Sequence, residues 1–233
     1  MGGKNLLGKI VKQQKILVIN HIKLIFFLIS VSMVLGLTSS FKIKLSHELN
    51  IALFNRIFNR YTFCFIVFPV QIISVLSIFQ IRLHDIYACQ KKRIIVYQMI
   101  ATSIFVVGGF YLLANVSIVA FNLGISGIWL FNYLPPFSYF LAMISGGTVS
   151  LTYCLVSLLL VLLTDNKTLA FVVTFVFNLT MFILSVNNSF KLFYSFTNMI
   201  SVIENLANLL LLLALIGGLF IIIENIVNKK EFL

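Results

Sequence analysis

Acidic residues are scarce in this chain: six Asp and Glu stand among 233 residues, against 17 Lys and Arg. Only 10% of positions are charged at all, whereas a soluble domain carries about a quarter. No carboxylate cluster, GxSxG or glycine-rich phosphate cradle is present. Cys64, Cys89 and Cys154 are too isolated for a disulfide framework or a metal-ligand spacing and read as small apolar fillers. His21, His47 and His84 have no acids at catalytic spacing inside an apolar run. Glu48 follows His47, but Ile51 stands where a zinc-protease HExxH motif needs its second histidine. Catalysis by the isolated chain is not expected.

Apolar runs fill the space that charge leaves. Hydrophobic residues make up 61% of the chain and its mean hydropathy is +1.08. Six stretches, 22–39, 61–81, 96–120, 138–163, 168–187 and 205–226, are long enough to cross a hydrocarbon core about 30 Å thick at 1.5 Å per residue. They are nearly continuous in Leu, Ile, Val and Phe, without the alternation a transmembrane barrel requires. Backbone groups in lipid must then be satisfied inside helices. The pattern predicts an all-α, polytopic membrane protein with six spans in one domain, 1–233. The first run follows a 21-residue basic leader and lacks a convincing cleavage site, so it reads as a retained span.

Charge is shared unequally between the connections. Lys4, Lys9, Lys12, Lys15, Lys23, Arg82, Lys91, Lys92, Arg93, Lys167, Lys229 and Lys230 alternate onto one side. Lys42, Lys44, Arg56, Arg60 and Lys191 fall on the other. The positive-inside rule places both termini in the cytoplasm. In the leader, Leu6, Leu7, Ile10, Val11, Gln14, Leu17 and Val18 share one helical arc, with Lys9, Lys12 and Lys15 opposite. That is the pattern of an interfacial helix on an anionic inner leaflet, with a basic leader that sets topology as the plainer alternative.

The connection IRLHDIYACQKKRIIVYQM is the longest charged one. It suits either a short helix offering apolar and polar contacts to a cytoplasmic partner or simple positive-inside anchoring. On the opposite side, FNLGISGIWLFNYLPPFSYF is almost uncharged and carries Trp129, Tyr133, Tyr139 and the Pro135-Pro136 pair. It reads as a loop that dips back, covers a cavity mouth or pads the interface. TDNK between spans four and five predicts a tight hairpin. The aromatic stretch after span five predicts one or two short interfacial helices. Gly146, Gly147, Gly217 and Gly218 allow close approach or bending.

Polar residues inside the spans are few. Glu224 lies near the end of span six, where it can reach water or Lys229, make a subunit contact or line a path. Gln71, Asn115, Asn178, Tyr153 and Thr174, with Gln80 at a span end, fit either a polar seam or hydrogen bonds between helices.

This layout of a basic leader, six spans, a charged connection after span two and an aromatic segment before span six resembles the membrane subunit of an ABC-2 type transporter. The resemblance implies a coupling segment at Arg82, Leu83, His84, Asp85, Ile86, Tyr87, Lys91, Lys92 and Arg93 that docks on a separate ATP-binding subunit. ATP and magnesium would then sit on that partner, with no cofactor in this chain. It implies a second permease copy or paralogue and a bacterial cytoplasmic membrane. Small permeases of this appearance resemble exporters or expellers of antimicrobial and toxin-like peptides, including bacteriocin immunity systems. Lipid or drug export, and a non-transport membrane assembly role, are the alternatives; no nucleic-acid partner is expected.

Overall fold

The computed structural model describes residues 22–40, 49–79, 93–127, 129–198 and 202–229. Lys9, Lys12 and Lys15 of the leader lie outside the described residues, as do Gln80, Arg82, Leu83, His84, Asp85, Ile86, Tyr87, Lys91 and Lys92. Among the described residues all regular structure is helical: α1 (Ile22–Ser40), α2 (Leu49–Ile57), α3 (Arg60–Thr62), a π-helical turn (Phe63–Val67), α4 (Phe68–Ile78), α5 (Arg93–Ser126), α6 (Pro136–Thr164), α7 (Lys167–Val186) and α8 (Val202–Lys229). Two 3₁₀ segments, Leu130–Asn132 and Leu192–Thr197, interrupt the connections. Five helical stretches among the described residues are long and apolar enough to cross a membrane: Leu53–Ile78, Arg93–Ile125, Pro136–Thr164, Lys167–Val186 and Val202–Lys229. The apolar helix Leu24–Ser40 is shorter.

Helix ends follow local chemistry. At the predicted TDNK hairpin, α6 stops because Asp165 turns left-handed at φ 54°. Asn166 then caps α7, its Oδ1 accepting from the backbone N–H of Thr168 and Leu169 at 2.9 and 3.1 Å. Pro136 opens α6, where a missing N–H costs nothing. Hydroxyls within the helices turn back on their own backbone: Ser74 donates to Val70 O, Ser103 to Met99 O and Thr174 to Ala170 O. In this way small polar side chains are accommodated in an apolar interior.

α6 is the hub of the bundle, touching α4, α5, α7, α8 and the Leu192–Thr197 segment. Its Val149, Tyr153, Cys154 and Leu158 are completely buried. α1 packs chiefly against α5, and Gly36 marks the crossing. A Cβ there would lie 2.8 Å from Ser117 backbone and 2.7 Å from the Phe121 ring, so only glycine allows that approach. Asn122 Nδ2 donates to Ser39 Oγ across the same contact at 3.1 Å. α8 is the least embraced helix, burying only Asn205, Leu212, Ile223 and Val227.

The aromatic segment before α8 departs from the interfacial helix expected of it. Phe193, Tyr194, Ser195, Phe196 and Thr197 are all buried. The Phe193 ring lies 5.8 Å from that of Phe177 and 5.4 Å from that of Tyr153. Phe177 is nine residues, about 14 Å, below the end of α7. The chain thus leaves α7, turns at Asn187 and Asn188, and re-enters the bundle. Phe58, Phe63 and Phe68 meet its Phe196 with edge-to-face ring contacts, each worth about 0.5–1.5 kcal/mol beyond area burial.

Candidate functional site

Among the described residues, polar side chains converge at several places in this bundle, the first being the end that carries Arg93, Lys167 and Lys229. Arg93 Nε lies 2.8 Å from Glu224 Oε1, joining the start of α5 to the last turns of α8. Glu224 therefore pairs with Arg93 rather than with Lys229 on its own helix. The arginine side chain is 64% exposed, so solvent screening limits this bond's contribution to stability. At the same end, Lys167 Nζ donates to Phe79 O at 2.6 Å and so satisfies a carbonyl left open at the end of α4. Phe79 and Arg93 flank the connection 80–92. Each is tied to a helix remote in sequence, Phe79 to α7 and Arg93 to α8.

The second place is buried around Asn178. Its Nδ2 donates to Cys64 O at 3.0 Å, and its Oδ1 accepts from the Tyr194 hydroxyl at 2.6 Å. The local cause is Pro69. In the π-turn, Phe68 N–H bonds to Phe63 O, five residues back. The next bond in that register would run from residue 69 to Cys64 O, and proline has no N–H to give. Asn178 supplies the missing donor from α7 and uses its other end to hold the re-entrant segment. Pro69, inside a predicted span, was the available sequence signal for this arrangement.

Gln71, two residues further along α4, is completely buried, and among the described residues neither end of its amide has a hydrogen-bond partner. The hydroxyl of Tyr153 is likewise buried and unpartnered. The two are not joined to the Asn178 cluster by hydrogen bonds.

The third place is the seam between α5 and α6. The Tyr139 hydroxyl donates to Asn115 Oδ1 at 2.7 Å, and Asn115 Nδ2 donates to Tyr111 O at 2.8 Å. The Tyr111 hydroxyl lies 3.2 Å from Ser150 Oγ. Beside this chain of bonds an apolar groove of about 540 Å³ runs along the two helices. A second cavity of about 340 Å³, reaching α8, adjoins it at Ile104 and Leu151.

Continuous apolar helices of spanning length around a buried helical hub, with polar groups spent on helix-to-helix contacts, define a polytopic α-helical membrane protein with a generic permease-like build. The chain matches no family model, no curated protein and no solved structure.

Proposed function

We propose that this chain is the membrane-spanning subunit of an ATP-driven exporter of ABC-2 type, working with a separate ATP-binding subunit and a second permease copy or paralogue. The observation that carries the proposal is the pair of clamps beside the connection 80–92. A force applied to that connection by a cytoplasmic ATPase reaches α7 through Lys167 and Phe79, and α8 through Arg93 and Glu224. Those are the helices on either side of the re-entrant aromatic segment, so motion at one end of the bundle is delivered to the other. Switching between inward and outward arrangements would then be driven by closure of the ATPase. In this reading the ATP and magnesium belong to the partner, and the membrane is the bacterial cytoplasmic one with both termini inside.

The cargo proposed is amphipathic, with toxin-like or antimicrobial peptides as the first class and lipids or drugs as the second. A non-transport role, in which the chain binds another membrane protein through helix contacts, draws support from α8. That helix leaves Leu210, Leu211, Leu213, Ile221 and Ile222 exposed.

Purification of the tagged full chain from its own host in mild detergent tests the proposal. Near-stoichiometric recovery of a cytosolic ATP-binding protein, lost in Arg82→Ala, Asp85→Ala and Tyr87→Ala variants that still insert, is the expected result. Recovery of the chain alone, under conditions where such complexes survive extraction, would remove the ATP-driven reading.

A further inference from the structure

The helix that runs from Arg60 to Ile78 changes register on the way. Phe63 N–H bonds to Asn59 O and Phe79 N–H to Val75 O, each four residues back, whereas Phe68 N–H reaches Phe63 O, five back. The π-turn therefore holds one residue more than an α-turn, which offsets the two parts of the helix by about 100° and about 1.5 Å. Tyr61 and Ile73, on either side of it, stand 12 positions apart. On an unbroken α-helix they would lie about 120° apart around the axis, and the offset reduces this to about 20°. Both are exposed, at 58% and 43%.

Backbone hydrogen bonding admits a second register. In an unbroken α-helix Phe68 N–H would bond to Cys64 O and Val67 N–H to Phe63 O, so neither carbonyl would need a donor from outside. In the π-register Phe68 N–H is committed to Phe63 O and Pro69 has none to give, so Cys64 O depends on Asn178 Nδ2, at 3.0 Å. That amide is fixed in turn through its Oδ1 by the Tyr194 hydroxyl, at 2.6 Å. Withdrawing the outside donor leaves a buried carbonyl unpaired in one register and satisfied in the other.

The two parts of the helix are held unequally. The first is anchored: Arg60 Nη2 donates to Asn198 Oδ1 at 2.8 Å, and the Phe63 ring lies 4.9 Å from that of Phe196. Between Pro69 and the Lys167 bond at Phe79 O, packing is apolar, because the Ser74 and Ser77 hydroxyls bond to their own helix. A turn of one residue there exchanges one apolar surface for another. Gln71 is the polar side chain it moves. Among the described residues the buried Gln71 amide is unpaired where it now stands, which disfavours the present register.

We propose that this helix is a two-register switch with Asn178 as its latch. While Tyr194 holds the amide, the π-turn persists. When the re-entrant segment draws back, Asn178 releases Cys64 O, Phe68 N–H takes it, and residues 69–78 turn by about 100°. The connection 80–92 begins just beyond, so movement of an aromatic segment inside the bundle is read out at the end that carries Lys167. The switch needs only this chain, without nucleotide or partner. Its failure would leave the export reading untouched, and the converse also holds.

Nitroxide labels at Tyr61→Cys and Ile73→Cys, in the full chain with Cys64, Cys89 and Cys154 replaced by alanine, read the register as a distance in reconstituted vesicles. The latched protein is expected to give one short distance. Asn178→Leu should raise a second population, several ångström longer, roughly tenfold, the change that about 1.4 kcal/mol between the registers gives. Tyr194→Phe should raise the same population to a smaller extent, and it carries the test alone if Asn178→Leu does not insert. A second label pair at Leu169 and Val176, both exposed on α7, should keep its distance throughout. One unchanged short distance in every variant that inserts would overturn the proposal. So would a long distance that predominates with the latch intact, or a lengthening shared by the α7 pair.

Discussion

Tyr194 donates its hydroxyl proton to Asn178 at 2.6 Å, although the two stand 16 positions apart and the chain between them leaves the bundle and comes back. Asn178 is thereby fixed at both ends of its amide. Asn178→Leu should leave Cys64 O and the Tyr194 hydroxyl unpaired together and lower stability by about 2 kcal/mol, whereas Tyr194→Phe should cost about 1 kcal/mol or less. Pro69→Ala restores an N–H at residue 69 and should recover part of the loss in Asn178→Leu. Thermal unfolding of the four proteins in one detergent reads this cycle directly. Purely additive single effects would show that Pro69 is not the reason Asn178 is needed.

Gln71 presents the opposite case. A buried amide without partners costs about 1–3 kcal/mol of desolvation. Gln71→Leu keeps the approximate volume and removes that cost, so it should raise the unfolding temperature. A fall would mean that the amide holds a partner essential to folding. A stable variant that loses transport would assign Gln71 to the path.

Gly36 and Gly218 should respond in opposite directions to the same added methyl. At Gly36 it would collide with Ser117 and Phe121, while at Gly218 it would meet open space. Gly36→Ala is expected to push α1 from α5 and cost about 1–3 kcal/mol, and Gly218→Ala to gain about 0.5–1 kcal/mol from helix propensity. Denaturation in detergent checks both signs.

For Arg93 and Glu224 the proposed coupling separates stability from activity. Either neutralisation, Arg93→Gln or Glu224→Gln, should change stability by less than about 1 kcal/mol, because the pair is partly solvated. If the pair transmits force, each should nevertheless depress ATP-dependent transport in reconstituted vesicles, and the exchange Arg93→Glu with Glu224→Arg should restore much of it. Unchanged transport in both single variants would remove the pair from the coupling route.

The helical, multi-pass class was legible because lipid admits few solutions: long unalternating runs such as 205–226 have no other way to satisfy their backbone. The hairpin at Asp165 and Asn166 was legible for a local reason, since both residues act on their immediate neighbours. Glu224 was recognisable as unusual, but its partner was not, because Lys229 is near in sequence and Arg93 is near only in the folded bundle. The burial of Phe193–Thr197 was hidden more deeply. An aromatic, weakly charged segment has the same composition whether it lies at an interface or fills a core, and only the cavity left by α4, α6 and α7 decides between them.

The re-entrant segment also constrains how this protein is made. Synthesis proceeds from the N-terminus, so α4, α6 and α7 enter the bilayer before residues 192–197 exist. Until those residues arrive, Asn178 Oδ1 lacks its Tyr194 donor and Tyr153 and Phe177 lack the Phe193 ring that packs on both, so the half-made bundle carries an unfilled aromatic socket. Helix insertion and core completion are therefore separate events in this chain, and a nascent protein halted after α7 would span the membrane repeatedly while still lacking its centre.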